Sequence, residues 1–141
     1  MSKTIYASQV MTPHVIAGNF TNKYSQIMEF FTEHKIQHLP VAVADKLLGI
    51  LSINDMLAYL NKRIKSGAPM DVASLDADFH VSDVMTKDPV SVDVDATLED
   101  VVEILASGKF QAVPVTKDGL VHGIITNKDL ARIYKWQLDN N

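Results

Sequence analysis

Apolar positions along this chain keep two rhythms. Tyr24, Ile27, Met28 and Phe31 fall at the i, i+3, i+4, i+7 spacing of an amphipathic helix, which should end near His34 and Lys35. Leu98, Val101, Val102 and Leu105 repeat that stripe position for position after a shift of 74 residues, with Thr97 as the cap. Between and after these helices come short apolar runs bounded by turn residues, which read as strands. Ile36 to Val43 contains Leu39-Pro40-Val41, and Leu47 to Leu51 follows an Ala44-Asp45-Lys46 turn. Phe110 to Val115 and Leu120 to Ile125 form the second such pair, joined by Lys117-Asp118-Gly119.

The same shift of 74 aligns Val10-Met11-Thr12 with Val84-Met85-Thr86, Pro40-Val41 with Pro114-Val115, and Gly49 to Asp55 with Gly123 to Asp129. The chain is an internal duplication, and each copy reads β-α-β-β-α. Ala7 to Met11 gives one helical turn stopped by Pro13. Val15-Ile16-Ala17 and Pro89-Val90-Ser91-Val92 are the leading strands expected of the two copies. Ser52 opens a helix through Met56, Leu57, Tyr59 and Leu60, closed by Ser66-Gly67-Ala68-Pro69. The last helix carries Leu130, Ile133 and Tyr134 on one face. The expected boundaries are residues 7–64 for the first copy, an acidic linker without clear period over 65–79, and residues 80–136 for the second.

A chain of 141 residues suits one compact domain or two small lobes, with roughly 68% of the unfolded surface buried on folding. Its 47% hydrophobic and 21% charged residues fit a globular protein. A net charge of −4 offers no bulk attraction to nucleic acid or anionic lipid. The chain has no cysteine, so thiolate chemistry, disulfides and Cys-based zinc sites are excluded. No apolar run approaches the roughly 18 residues of a membrane helix, and the first six residues lack the apolar core of a signal peptide. A cytoplasmic location is expected.

Two heptapeptides concentrate the candidate chemistry: Gly49-Ile50-Leu51-Ser52-Ile53-Asn54-Asp55 and Gly123-Ile124-Ile125-Thr126-Asn127-Lys128-Asp129. In each, an apolar strand ends in a hydroxyl residue that starts a helix, with an acid three residues on. A carboxylate there can accept hydrogen bonds from both hydroxyls of a ribose, while free N–H groups and the helix dipole favour an anion. Lys128 would add charge toward a phosphate. The same pattern is also a capping box with Asp in place of the usual Glu.

Met-Thr, Pro-Val, a capped helix, an apolar-Pro-Val strand and Gly-Ile-Ile-Thr-x-x-Asp, in this order and in two copies, resemble the CBS domain, named after cystathionine β-synthase. The pair resembles a Bateman module over nearly the whole chain. The resemblance implies an α/β fold in which the repeats pack with pseudo-two-fold symmetry, leaving clefts for AMP, ADP, ATP or S-adenosylmethionine. It implies a regulatory module rather than an enzyme, with no required cofactor, homodimeric through its helices, and signalling to an effector protein absent from this chain. In the second copy it places ligand contacts on Thr86, Pro89, Val90, Val113, Pro114, Thr126, Lys128 and Asp129. In the first it places them on Thr12, His38, Pro40, Ser52 and Asp55. The first copy lacks the Pro-Val-x-Val strand, which favours the second as the stronger site. The alternative is a dimerisation or protein-interaction module without ligand, whose hydroxyl–acid pairs only cap helices.

Other chemistry finds no support. The histidines at 14, 34, 38, 80 and 122 show no metal-ligand spacing. Ser52, His38 and Asp55 do not form a hydrolase, because Gly-Ile-Leu-Ser is not a nucleophile elbow. No Gly-rich phosphate loop is present. The run Lys62-Arg63-Ile64-Lys65 reads as a solvated helix end suited to its dipole.

Overall fold

A computed structural model describes residues 3–13 and 15–141; Met1, Ser2 and His14 lie outside the described residues. The fold is mixed α/β and divides into two compact units, one of residues 16–88 and one of residues 1–15 with 89–141. The division does not follow the duplication, because each unit takes its leading strand segment from ahead of the other copy.

In the unit of residues 16–88, helix α2 (Tyr24–His34) ends at Lys35, which adopts the left-handed conformation with φ 53°. Strands β2 (His38–Val43) and β3 (Lys46–Ser52) form an antiparallel hairpin, with Ala44 and Asp45 both at positive φ as its twist requires. Helix α3 (Ile53–Ser66) starts at Ser52 and stops at Gly67, whose φ of 73° suits glycine. Helices α4 (Val72–Asp78) and α5 (Val81–Val84) precede β4 (Thr86–Lys87), which pairs antiparallel with β3 through Ile50↔Thr86 and Gly49↔Lys87. The core gathers Ile27, Phe31, Leu39, Val41, Leu51 and Met56 with Phe79 and Val81. Full burial of side chains of this size contributes about 1.5–3 kcal/mol each.

The other unit repeats the plan. Its helix α1 (Ala7–Val10) and strand β1 (Thr12–Pro13) come from the start of the chain. Strand β5 (Val92–Asp93), helix α6 (Leu98–Ala106), strands β6 (Ala112–Lys117) and β7 (Leu120–Thr126), and helix α7 (Asn127–Asp139) follow. Strand β1 pairs with β7 through Thr12↔Ile124 and Pro13↔Gly123, the counterpart of the β4–β3 pairing. Backbone bonds from Ala7 to Ala96 (2.7 Å) and from Leu98 to Ile5 (2.8 Å) stitch the leading segment down. Ala7 enters the core with Val92, Val101, Leu105, Val113, Val115 and Ile125. The hairpins match in register, including a shift after Val41 in one and after Val115 in the other.

Glycine permits the exchanged segment to sit so close. A Cβ at Gly123 would lie 2.8 Å from the Thr12 carbonyl oxygen and collide with the Met11 sulfur; a Cβ at Gly49 would meet Thr86 and Met85 in the same way. The repeated Gly and the repeated Met-Thr are thus one device, split across the two units.

Three expectations are corrected. The leading strands are shorter than the apolar runs suggest: residues 15–17 form none, Gly18 makes only a parallel bridge to Val41, and Pro89 to Ser91 lie outside β5. Proline lacks the N–H a ladder needs, and pairing begins only at Val92. The stretch expected to lack periodic structure holds α4, capped by the Asp71 carboxylate, which accepts from the Ser74 N–H at 3.1 Å. Seven residues with one buried apolar side chain, Leu75, carry too little pattern to signal a helix. Arg63 is not solvated: it is 7% exposed, bonded to the Asp78 carboxylate at 2.8 Å and to the Pro69 carbonyl at 2.5 Å. The lone buried position in a basic run follows from its place on the inward face of α3, beneath Tyr59.

Replacing Gly123 with Ala is expected to lower unfolding stability by about 1–3 kcal/mol, the range for forcing atoms into a filled space. Urea titration of the variant checks this; an unchanged midpoint would mean that β1 is not held against β7.

Candidate functional site

Each copy builds a corner where the second hairpin strand turns into a helix. At the first corner Ser52 and Asp55 form a reciprocal capping box: the Asp55 carboxylate accepts from the Ser52 N–H at 2.8 Å, and the Ser52 hydroxyl accepts from the Asp55 N–H at 3.1 Å. His38 stands opposite Ser52 in the β2–β3 register. Its pKa is held below the ordinary 6.5 chiefly by burial, with the Asp55 charge pulling the other way.

At the second corner Asp129 is 4% exposed. Its Oδ2 accepts from the Thr126 N–H at 2.8 Å and from the Thr126 hydroxyl at 3.2 Å. Its Oδ1 accepts from the Thr12 hydroxyl at 3.2 Å and from the guanidinium of Arg132, one turn along α7. Arg132 is itself mostly exposed, so this pair is worth less than its closeness suggests.

The predicted residues are therefore brought together in a different grouping. Thr12 belongs to the corner of Asp129, whereas Thr86 pairs beside Ile50 in the unit of Asp55. Pro40, Pro114 and Val113 are fully buried, and the Val113 side chain packs in the core. Val90 and Lys128 are exposed and Pro89 is half-buried. Arg132 escaped the sequence reading, although an acid and an arginine at i, i+3 on a helix are a readable pair.

A cavity of about 450 Å³ opens along α3 from the first corner. Its charged lining is mixed, with Lys62, Arg63 and His80 against Asp55, Asp78 and Asp83; Ala58 and Tyr59 also line it. Asp55, Tyr59 and Lys62 lie on one face of α3 at i, i+4, i+7, a spacing visible in the sequence. Among the described residues no group of acids and histidines is placed to hold a metal ion, and no helix is long and apolar enough to cross a membrane.

The duplicated strand–helix–hairpin–helix unit, with a carboxylate at the first turn of each closing helix, defines a tandem-repeat α/β module. The CBS domain family model matches residues 7–62 and 81–135, and the chain belongs to that family as a tandem pair. It is 25% identical to a solved putative acetoin utilization protein, AcuB, from Vibrio cholerae, with a TM-score of 0.82 over 97% of this chain and 95% of that one. CBSX2 from Arabidopsis thaliana is 27% identical, with a TM-score of 0.79 over 99% of both chains. A structure of CBSX2 in complex with AMP gives a TM-score of 0.77 at 27% identity, over 94% of this chain and 97% of that one. An inosine-5'-monophosphate dehydrogenase of Korarchaeum cryptofilum is 32% identical over 117 residues, which are 82% of this chain but 21% of the enzyme. The chain spans 42% of an uncharacterised 33.4 kDa protein of Thermofilum pendens, at 25% identity over 131 residues, 89% of this chain.

The His38 environment yields a pH prediction. Since its folded pKa is depressed, the unfolded chain takes up a proton first as pH falls, so the stability present above 6.5 is lost below it. Between about pH 7.5 and about pH 5.5 the wild type should lose more stability than His38→Gln, measured as urea midpoints. Parallel curves would show that His38 is not the group responsible.

Proposed function

We propose that this chain is a regulatory module that binds an adenosine-containing ligand, such as AMP, ADP, ATP or S-adenosylmethionine, and passes its occupancy to an effector protein. The observation that carries this reading is the duplicated corner, where a helix-starting hydroxyl lies beside a carboxylate three residues on, groups whose chemistry suits a phosphate and a ribose. The AMP complex of CBSX2, 27% identical to this chain, supports it. The proposed contacts are Thr126, Lys128 and Asp129 with Thr12 at one corner, and Ser52 and Asp55 with His38 at the other; Thr86, in the unit of Asp55, and Pro89 and Val90, in the unit of Asp129, are the further candidates that reach the surface, whereas Pro40, Val113 and Pro114 support from within. The role is regulatory and not catalytic, because these groups bind and orient without a nucleophile or a general base aimed at a reacting atom. Ligand occupancy acts by differential affinity for two conformations of the module.

A second reading has its own observation. At both corners the carboxylate caps its own helix, and α3 and α7 leave Leu57, Ile64, Tyr134, Trp136 and Leu138 exposed, with Trp136 at 67%. Those residues suit a homodimer contact, and a dimerisation module with no ligand would need nothing more.

Thermal-shift and calorimetric titration of AMP, ADP, ATP, S-adenosylmethionine and GTP separates the two readings. An adenosine ligand at a hundredfold excess over its Kd should stabilise the wild type by about 2.7 kcal/mol, and Asp55→Ala with Asp129→Ala together should abolish the shift. If no ligand shifts the wild type, the dimerisation reading replaces this one.

A further inference from the structure

We infer that Arg132 is a built-in competitor that closes the second corner, and that the first corner, opening into the cavity along α3, is where the ribose of a ligand is accepted. The inference rests on the adenosine-ligand reading above and assigns its site. Both oxygens of Asp129 are already engaged, Oδ2 by Thr126 and Oδ1 by Thr12 and Arg132. A pair of vicinal hydroxyls needs those same lone pairs, so it can bind Asp129 only after Arg132 and Thr12 let go. Although the exposure of Arg132 weakens its bond, the two must be displaced together, and that cost falls on any ligand at Asp129.

The duplication supplies its own control. The position in the first copy that matches Arg132 is Ala58, and among the described residues Asp55 has no arginine partner and no bond from Thr86. Where the arginine would stand, the structure has the cavity, lined by Asp55 and Ala58 and continuing to Tyr59 and Lys62. Its volume of about 450 Å³ falls within the range of small-molecule sites. Within it, Asp55 offers an acceptor for hydroxyls, Tyr59 an apolar ring and Lys62 a cation for a phosphate. The remaining lining favours a nucleoside monophosphate over a triphosphate, since Arg63 is already paired with Asp78 and Asp83 repels each added negative charge.

Calorimetric titration with AMP tests this on the full chain. Wild type should bind at one site per chain, and Asp55→Ala should lose binding. Ala58→Arg, which recreates the second corner's pair on an exposed helix position, should weaken binding at least about tenfold and guards against a folding defect in Asp55→Ala. Arg132→Ala should add a second binding event. Binding that is lost in Asp129→Ala or weakened in Arg132→Ala, while Asp55→Ala and Ala58→Arg remain unaffected, overturns this inference and leaves the adenosine-ligand reading standing. Absence of binding by AMP, ADP, ATP and S-adenosylmethionine in wild type and Arg132→Ala overturns both.

Discussion

The close approach of a Met-Thr segment to a glycine in the second hairpin strand holds each unit together. A two-stranded hairpin is marginal in water by itself, and a third strand with an apolar face is what gives it independent stability. Here the strand laid beside the glycine has only two residues, both exposed, Thr12–Pro13 in one unit and Thr86–Lys87 in the other. Such a strand holds through what surrounds it. The methionine beside it packs over the glycine, and the residues ahead of it, Ala7 in one unit and Phe79 with Val81 in the other, are buried in the core. The corner of Asp129 depends on this, since Thr12 reaches Asp129 only because β1 lies on β7.

The segment between the copies shows how acids serve as fasteners. The Asp76 carboxylate accepts from both the N–H and the hydroxyl of Ser25, at 2.8 and 2.7 Å, at the first turn of α2, and these bonds hold its pKa below the ordinary value. The Tyr59 hydroxyl donates to the Leu75 carbonyl at 3.0 Å, and the rings of Tyr24, Tyr59 and Phe79 stack edge to face or tilted within 6.0 Å. Asp78 holds Arg63. A polar, aperiodic stretch is thereby docked by a few directional bonds and one aromatic cluster.

This explains what could be read ahead of the structure. The helices α2 and α6 and both hairpins were legible because their signals are local: stripes at helical spacing, turn residues, and a shift of 74 that repeats them. The hydroxyl–acid corners were legible for the same reason. The grouping of Thr12 with Asp129 was not, because those residues are 117 apart and no periodicity links them. Arg63 was misplaced because composition cannot tell a buried arginine from its exposed neighbours, and the closure of Asp129 by Arg132 became visible only when the carboxylate's bonds could be counted.

The exchange of leading segments also orders the events of folding. The unit of residues 16–88 is continuous in the chain, so a ribosome that has released its last residue has released everything that unit needs. The other unit draws on segments from both sides of it, and Ala7, Thr12 and Pro13 wait for the β6–β7 hairpin before they find their partners. Closing so long a loop is slow compared with forming a local hairpin. Synthesis therefore completes the unit of residues 16–88 before it delivers the hairpin and helix that the corner of Asp129 needs.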